Sequence, residues 1–540
     1  MSHPRVSRMI QLCCLVGFWA STQVVLTAVA APLDNVPVES WVYPAVDHLK
    51  TSGLIQSVPS TSRPWTRSYA ARLVAEALDE QWNATTGSRK SHSGIVASYL
   101  QLLCGEFLEE IGPCSLPHRF RPPGPILRLP ADTLGQIDID IFNRAQADSS
   151  RLGASIGTAV GLSGSRNVSI RNRFEFIAFS ETLGNVVDSA WLRHVPGYRE
   201  CRGEKFFIFH IPEAYFRFQL PWFQVKLGRD YVYWGPGYRS SVLISNSAPP
   251  LEQVQLCADF SRFKLTTMTA ALSPWRSSQR FMSAQRLEVN FWHRIVAGIA
   301  LFVVHSPDSA QTKSFFGYLN PLIPLYPEIA NAGHDDNGLV GGDIAVYLPR
   351  VKLYAQGLVD NYEFAANKHQ NPIRPPDAFA LQAGLLAIPT DFLTCRYEYS
   401  RINNYTYYHP EHLIAFTSYD VPLGHTLGPD ADEHFGTVNW HLAPLLSLGL
   451  YAAQTRRGDR NRGDWTHRSY QWGRPQVDTT FPTGVAEQTR ELGPTLSFQP
   501  WPRLSATARA AVFQVHNAGG VLGQRRSGIT FALKLEHRFH

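Results

Sequence analysis

The spacing of apolar residues changes once along the chain, and that change divides it in two. From about residue 38 to 112 the repeat is helical: Val42, Ala45, Val46 and Leu49 stand at i, i+3, i+4 and i+7. Ala70, Leu73, Val74, Ala77 and Leu78 repeat that spacing after Thr66, a suitable N-cap, and Val96, Leu100, Leu103 and Phe107 line one side of a third stretch over 96–111. Three apolar stripes need one another, so they predict a small helical bundle. Gly53 and the stretch 59–64, with Pro59, Ser60, Thr61, Ser62 and Pro64, break the chain between the first two helices. From about Leu134 onward the period is two. Ile137, Ile139 and Ile141 alternate with Asp138, Asp140 and Phe142, and Leu287, Val289 and Phe291 with Glu288, Asn290 and Trp292. Val351, Leu353 and Ala355 alternate with Lys352, Tyr354 and Gln356, while Arg509, Ala511, Phe513 and Val515 alternate with smaller or polar partners.

Alternation alone fits a soluble sandwich as well as a membrane barrel, because each has one apolar and one wet face per strand. The last strand separates the two. Ile529, Phe531, Leu533, Leu535, His537 and Phe539 share one face, opposite Thr530, Lys534, Glu536, Arg538 and His540. A free edge that long and that apolar invites aggregation, whereas closing a barrel leaves no edge. A closing strand with a near-terminal aromatic also resembles the signal read by outer-membrane assembly machinery, with His540 after Phe539 as a departure. At about 20 residues per strand and connection, the period-two region holds about 16 to 20 antiparallel strands, an even number being the rule. The fold class expected is mainly β: a large antiparallel transmembrane β-barrel preceded by a small α-helical bundle. A lumen of that width admits water unless loops or side chains fill it.

Composition supports the barrel. Charged residues make up 17% of the 540 and aromatics 12%, against about 25% charged in ordinary soluble domains. A net charge of +6, spread along the chain, gives no reason to expect nucleic-acid binding. At the N-terminus Arg5 and Arg8 precede an apolar run over 9–31 that ends in Ala28-Val29-Ala30-Ala31, which reads as a cleaved export signal. No later run is long and apolar enough for a membrane helix. The division expected is a signal peptide over 1–31, a periplasmic bundle over 32–130 and a barrel over 131–540. Of the seven Cys, Cys13 and Cys14 fall in the signal; Cys104 and Cys114 bracket nine residues and can close a loop in an oxidising periplasm. Cys201, Cys257 and Cys395 are too scattered for a zinc site.

One segment, 228–250, carries unusual chemistry for a turn. A strand with Phe223, Val225 and Leu227 on one face and Gln224 and Lys226 on the other runs into Gly228-Arg229-Asp230 and breaks at Trp234-Gly235-Pro236-Gly237. With Ser245 to Pro250 this progression resembles the capsule-assembly Wzi family, outer-membrane barrels that hold capsular polysaccharide at the cell surface; Ser247 between Asn246 and Ala248 departs from it. Ala284-Gln285-Arg286-Leu287-Glu288, Asn320-Pro321, Asp336-Asn337-Gly338-Leu339-Val340 and Gly428-Pro429-Asp430-Ala431-Asp432-Glu433-His434 extend the resemblance over most of the mature chain. It implies eighteen strands. Arg229, Asp230, Trp234, Gly235, Pro236 and Gly237 are then the family's identifying turn. Lys226, Arg229 and Asp230 are expected to brace the lumen, since buried charges must be paired or hydrated.

Trp41-Val42-Tyr43-Pro44-Ala45, Gly53-Leu54-Ile55 and Arg63-Pro64-Trp65-Thr66-Arg67 also resemble a single S-layer homology repeat, with Ser68-Tyr69 where Ala-Glu is usual. The candidate binding residues lie further on. In 456–475, Arg456, Arg457, Arg460, Arg462, Trp465, Tyr470 and Trp472 put guanidinium groups beside aromatic rings. Guanidinium forks carboxylates and a ring stacks on a sugar's apolar face, which suits an acidic capsular or exopolysaccharide. The acidic run at 430–434 and His334-Asp335-Asp336 read as solvated turns rather than a metal site. No nucleophile elbow, HExxH or phosphate-cradling loop occurs, so neither an enzyme nor a cofactor is indicated. The function expected is a lectin-like, non-enzymatic barrel with polysaccharide, outer-membrane lipid, lipopolysaccharide and the assembly machinery as partners. A porin or solute channel is the alternative, and a surface hydrolase a weaker third.

Overall fold

The computed structural model describes residues 33–86, 94–111, 136–181, 207–307, 336–361, 378–459 and 480–539, apart from 149, 150, 166, 261, 276, 410, 444, 445, 502 and 503, with a few further positions between 318 and 329. The signal segment, Cys114 and residues 460–479 lie outside it. Helices α1 (Val42–Thr51), α2 (Arg67–Thr86), α3 (Gly94–Glu106) and the short α4 (Leu108–Ile111) come first. Every apolar residue named above for the three stripes is buried in one cluster or packed on it, together with Tyr43, Leu54, Ile55 and Trp65. Thr66 caps α2 through its hydroxyl, which accepts from the Tyr69 amide at 3.2 Å. The end of α1 is a Schellman turn: Leu54 N–H bonds Leu49 O and Gly53 N–H bonds Lys50 O, both at 3.0 Å. Gly53 has φ +88° there, a conformation that disfavours a side chain.

Among the described residues, eighteen strands form the barrel that follows. They are β1 (Gln136–Asp148), β2 (Arg151–Ser165), β3 (Val168–Glu181), β4 (Phe207–Gln219), β5 (Phe223–Asp230) and β6 (Leu251–Asp259). Next come β7 (Phe263–Trp275), β8 (Ser278–Phe291), β9 (Ile295–His305), β10 (Asn337–Leu348), β11 (Val351–Asn361) and β12 (Ala378–Thr390). The last six are β13 (Leu393–Ile402), β14 (Ala431–Ala443), β15 (Leu446–Arg457), β16 (Glu487–Trp501), β17 (Leu504–His516) and β18 (Arg525–Phe539). Each pairs antiparallel with the next, and β18 returns to β1 from Ile141↔Phe539 to Asp148↔Ala532, closing the barrel.

Period two sorts the side chains as a membrane barrel requires. On β8, Leu287 and Phe291 are exposed outward while Arg286 and Glu288 are buried inward; on β18, Ile529, Phe531, Leu533 and Leu535 are exposed. Connections after even-numbered strands hold two or three residues, whereas those after β3, β5, β9, β11, β13 and β15 hold 16 to 31. Trp222, Phe260, Phe263, Trp292, Phe392 and Trp440 are exposed near the short turns, an aromatic girdle of the kind that sits at a membrane interface.

The bundle docks at the short-turn end. Asp47 of α1 accepts from Lys352 Nζ at 2.8 and 2.9 Å and from Tyr347 Oη at 2.9 Å, and Lys50 Nζ donates to His293 O at 2.8 Å. Burial alone would raise the Asp47 carboxyl, but the Lys352 ammonium outweighs it and holds the group below its ordinary value. His48 is buried beside Tyr99 and His441, and burial first, then the charge of His441, lowers its imidazole to about 4. Arg67, of the Thr-Arg pair in the S-layer-like stretch, is spent inside the bundle on Glu106 at 2.8 Å and Glu110 at 2.5 Å.

Candidate functional site

The interior of the barrel is built around the identifying turn. Residues 231–250 leave β5 at the long-loop end and fold back into the lumen, and residues 403–430 do the same between β13 and β14. Trp234, Val242, Leu243 and Ile244 from the first segment meet Tyr407, Ile414, Phe416 and Leu423 from the second in one buried cluster. The wall completes that cluster with Met268, Ala270, Met282, Ala300, Phe302 and Leu339. Backbone and hydroxyl bonds tie the segments together: Ser245 N to Leu423 O at 2.8 Å, Ser247 Oγ to Pro422 O at 2.7 Å and Tyr407 Oη to Val242 O at 2.8 Å.

From the short-turn end the chain between α1 and α2 rises to meet this plug. Ser62 and Arg63 pair with Trp234 and Tyr233 as a two-residue ladder, and Gly235 N–H donates to Thr61 O at 3.0 Å. Gly235 has φ +117°, and a Cβ on it would lie 2.0 Å from Gln356 Oε1; one on Gly237 would lie 2.0 Å from Ser240 O. Those close approaches account for the glycines of the motif. Beneath Trp234, Arg286 is fully enclosed and anchors the ladder: its Nη1 sits 2.6 Å from Asp343 Oδ2, and it donates to Ser62 Oγ at 2.9 Å and Thr61 Oγ1 at 2.7 Å. Tyr238 and Arg239 donate their amides to Glu398 at 2.7 and 3.0 Å, and Tyr354 Oη donates to the same carboxylate at 2.8 Å.

The predicted braces divide between two faces. Lys226 and Asp230 point inward and pair at 2.8 Å, and Asp230 also accepts from Asn35 at 2.5 Å, joining the wall to the chain that enters the bundle. Arg229, expected in the lumen, is instead on the outer face with Leu227, because alternation allows nothing else, and pairs there with Glu252 across to β6. The acidic run is not a solvated turn. Asp430 is buried on the Thr483 amide at 2.9 Å, Asp432 pairs with Arg456, and Glu433 pairs with Arg239 at 3.2 Å. Asp336 is likewise buried and accepts from Tyr318 Oη at 2.5 Å; His334 and Asp335 lie outside the described residues.

Of the candidate saccharide contacts, Arg456 and Arg457 end β15 at the long-loop rim. Arg456 keeps a half-exposed guanidinium on Asp432, donating through Nε at 2.9 Å. Arg460, Arg462, Trp465, Tyr470 and Trp472 lie outside the described residues. Periodicity did not mark the second plug segment, since 403–430 has neither repeat, nor did it mark Glu398 as the anchor of the first.

Residues 140–289, from β1 through the first plug segment to β8, match the family model of capsule assembly protein Wzi. The solved structure of Escherichia coli Wzi, described as an outer-membrane protein involved in group 1 capsule assembly and a carbohydrate-binding β-barrel, superposes with a TM-score of 0.60 at 12% identity, covering 93% of this chain and 98% of that one. A BenF-like porin from Pseudomonas fluorescens Pf-5 reaches 0.45 at 9% identity, over 75% of this chain and 98% of that one. No curated protein is significantly similar in sequence. A matched stretch that contains the first plug segment, set in a barrel of the same fold, is what this chain shares with the capsule assembly Wzi family.

Proposed function

We propose that this protein is a non-enzymatic outer-membrane barrel that attaches or organises an acidic capsular or exopolysaccharide at the cell surface. The observation that carries this reading is the blocked lumen: two long loops pack an apolar core inside the barrel, so the molecule offers a rim rather than a pore. The family match and the carbohydrate binding described for Escherichia coli Wzi support the same reading. The export signal, the apolar outer face and the closing strand fit a protein that is handed to the outer-membrane assembly machinery and seated in lipid and lipopolysaccharide. The rim contacts proposed are Arg456, Arg457, Arg460, Arg462, Trp465, Tyr470 and Trp472. Each would contribute little alone; a repetitive polymer spanning many barrels gains its hold from effective concentration. Two measurements test the reading. Planar-bilayer recordings should give no large, steady openings, and deleting residues 460–475 should markedly weaken binding of long polymers on an array of acidic polysaccharides. Steady conductance, or an array signal indifferent to the deletion, would argue instead for a channel.

A further inference from the structure

The plug does not fill the lumen completely. A cavity of about 600 Å3 remains between the bundle, the plug loop and the inner wall of β13 to β18. That is within the roughly 300–1,000 Å3 of small-molecule sites. Its lining reaches Leu446 and Ser447, beside the turn at 444–445, so it is approached from the short-turn end next to α1.

The charges in it are unevenly satisfied. Among the carboxylates, Asp47 is taken by Lys352, Glu536 by Lys534 at 3.0 Å, and Glu39 accepts from Asn246 at 3.0 Å. Arg239 is held by Glu433. Arg63 and Arg396 are different: among the described residues neither side chain makes a hydrogen bond or an ion pair, and Arg63 Nε is buried without a partner. Both are nonetheless fixed in place. The Arg63 guanidinium lies 4.4 Å from the Tyr43 ring centre and 5.0 Å from that of Tyr233, and Arg396 lies 3.8 Å from that of Tyr238. The Glu398 carboxylate holds Tyr238 through its amide. A guanidinium laid on a ring keeps its N–H fork free at the edge, the geometry that receives a carboxylate through two parallel bonds. The half-buried Trp41 also lines the cavity, and an indole ring suits the apolar face of a pyranose.

We infer that this cavity is a second saccharide site, taking a carboxylate-bearing oligosaccharide from the short-turn side, with Arg63 and Arg396 as its anion forks and Trp41 as a stacking surface. The site is separate from the loop at 456–475 and does not rest on it.

Calorimetry on the full chain in detergent tests the assignment, with digalacturonate as probe, cellobiose as its neutral counterpart and inorganic phosphate as a bare anion. The wild type should bind digalacturonate and not cellobiose. R396Q should weaken binding by at least about tenfold, and R396K should not restore it, because an ammonium has no fork. R63Q should act likewise. Since Arg63 also packs the plug, R396Q decides if R63Q fails to run as a folded barrel on unheated gels. Deleting residues 460–475 should leave this binding intact, which keeps the rim and the cavity experimentally distinct. Absence of digalacturonate binding, equal binding by R396Q, phosphate binding as tight as digalacturonate, or loss on the loop deletion alone would each overturn the inference.

Discussion

At the scale of single residues, Asp47 and His48 show how the bundle is fastened and how acid loosens it. Asp47 meets Lys352 with both partners buried. Removing one charge of such a pair strands the other, at a cost of about 3–5 kcal/mol. Asp47→Asn should therefore lower the denaturant midpoint of the bundle, read from the fluorescence of Trp41 and Trp65, while the barrel still runs as a folded species on unheated gels. His48 adds a pH dependence. Its imidazole is lowered to about 4 when docked, against about 6.5 when free, so the unfolded bundle takes up the proton first. Stability then falls as pH drops from about 6.5 towards 4, by about 3 kcal/mol in all. His48→Phe should flatten that slope in the same fluorescence titration. Asp47, held below its ordinary value, keeps its contribution through this window and loses it only at lower pH.

Among elements, the strands were legible in the sequence and the plug was not. Alternation on β8 and β18 named both their existence and their outward faces, since lipid on one side and a polar lumen on the other leave a period of two. Helical spacing named the three helices for a similar reason. The segments at 231–250 and 403–430 lack any period, because they are enclosed on all sides and make irregular contacts with whatever lines the lumen. Only the glycines of the first hinted at close packing. Arg229 was misassigned by chemistry: its charge suggested the interior, but its register with Leu227 decided its face. Removing the second segment, residues 404–429, should open a steady conductance in planar bilayers where the intact protein should give none. Trp234→Ala should destabilise the plug by about 3–5 kcal/mol, the usual cost of emptying a large buried aromatic site.

Over the whole molecule, length and strand period brought the strand number close, and the family resemblance brought it to eighteen. The cavity could not have been read the same way, for its walls come from the bundle, a plug loop and six strands that only the closed barrel brings together. If surface attachment is multivalent, retention of polymer should fall faster than the number of barrels. A titrated promoter and a count of cell-bound uronic acid would measure this, and strict proportionality would point to one barrel per chain. The closure of β18 on β1 also has a mechanical side. In antiparallel ladders the hydrogen bonds lie across the strands, and barrel strands are tilted by about 35–45° from the pore axis. If polymer is held at the rim, a tug on it is shared, largely in shear, among many bonds on eighteen ladders, and no seam is left from which the protein could be unzipped.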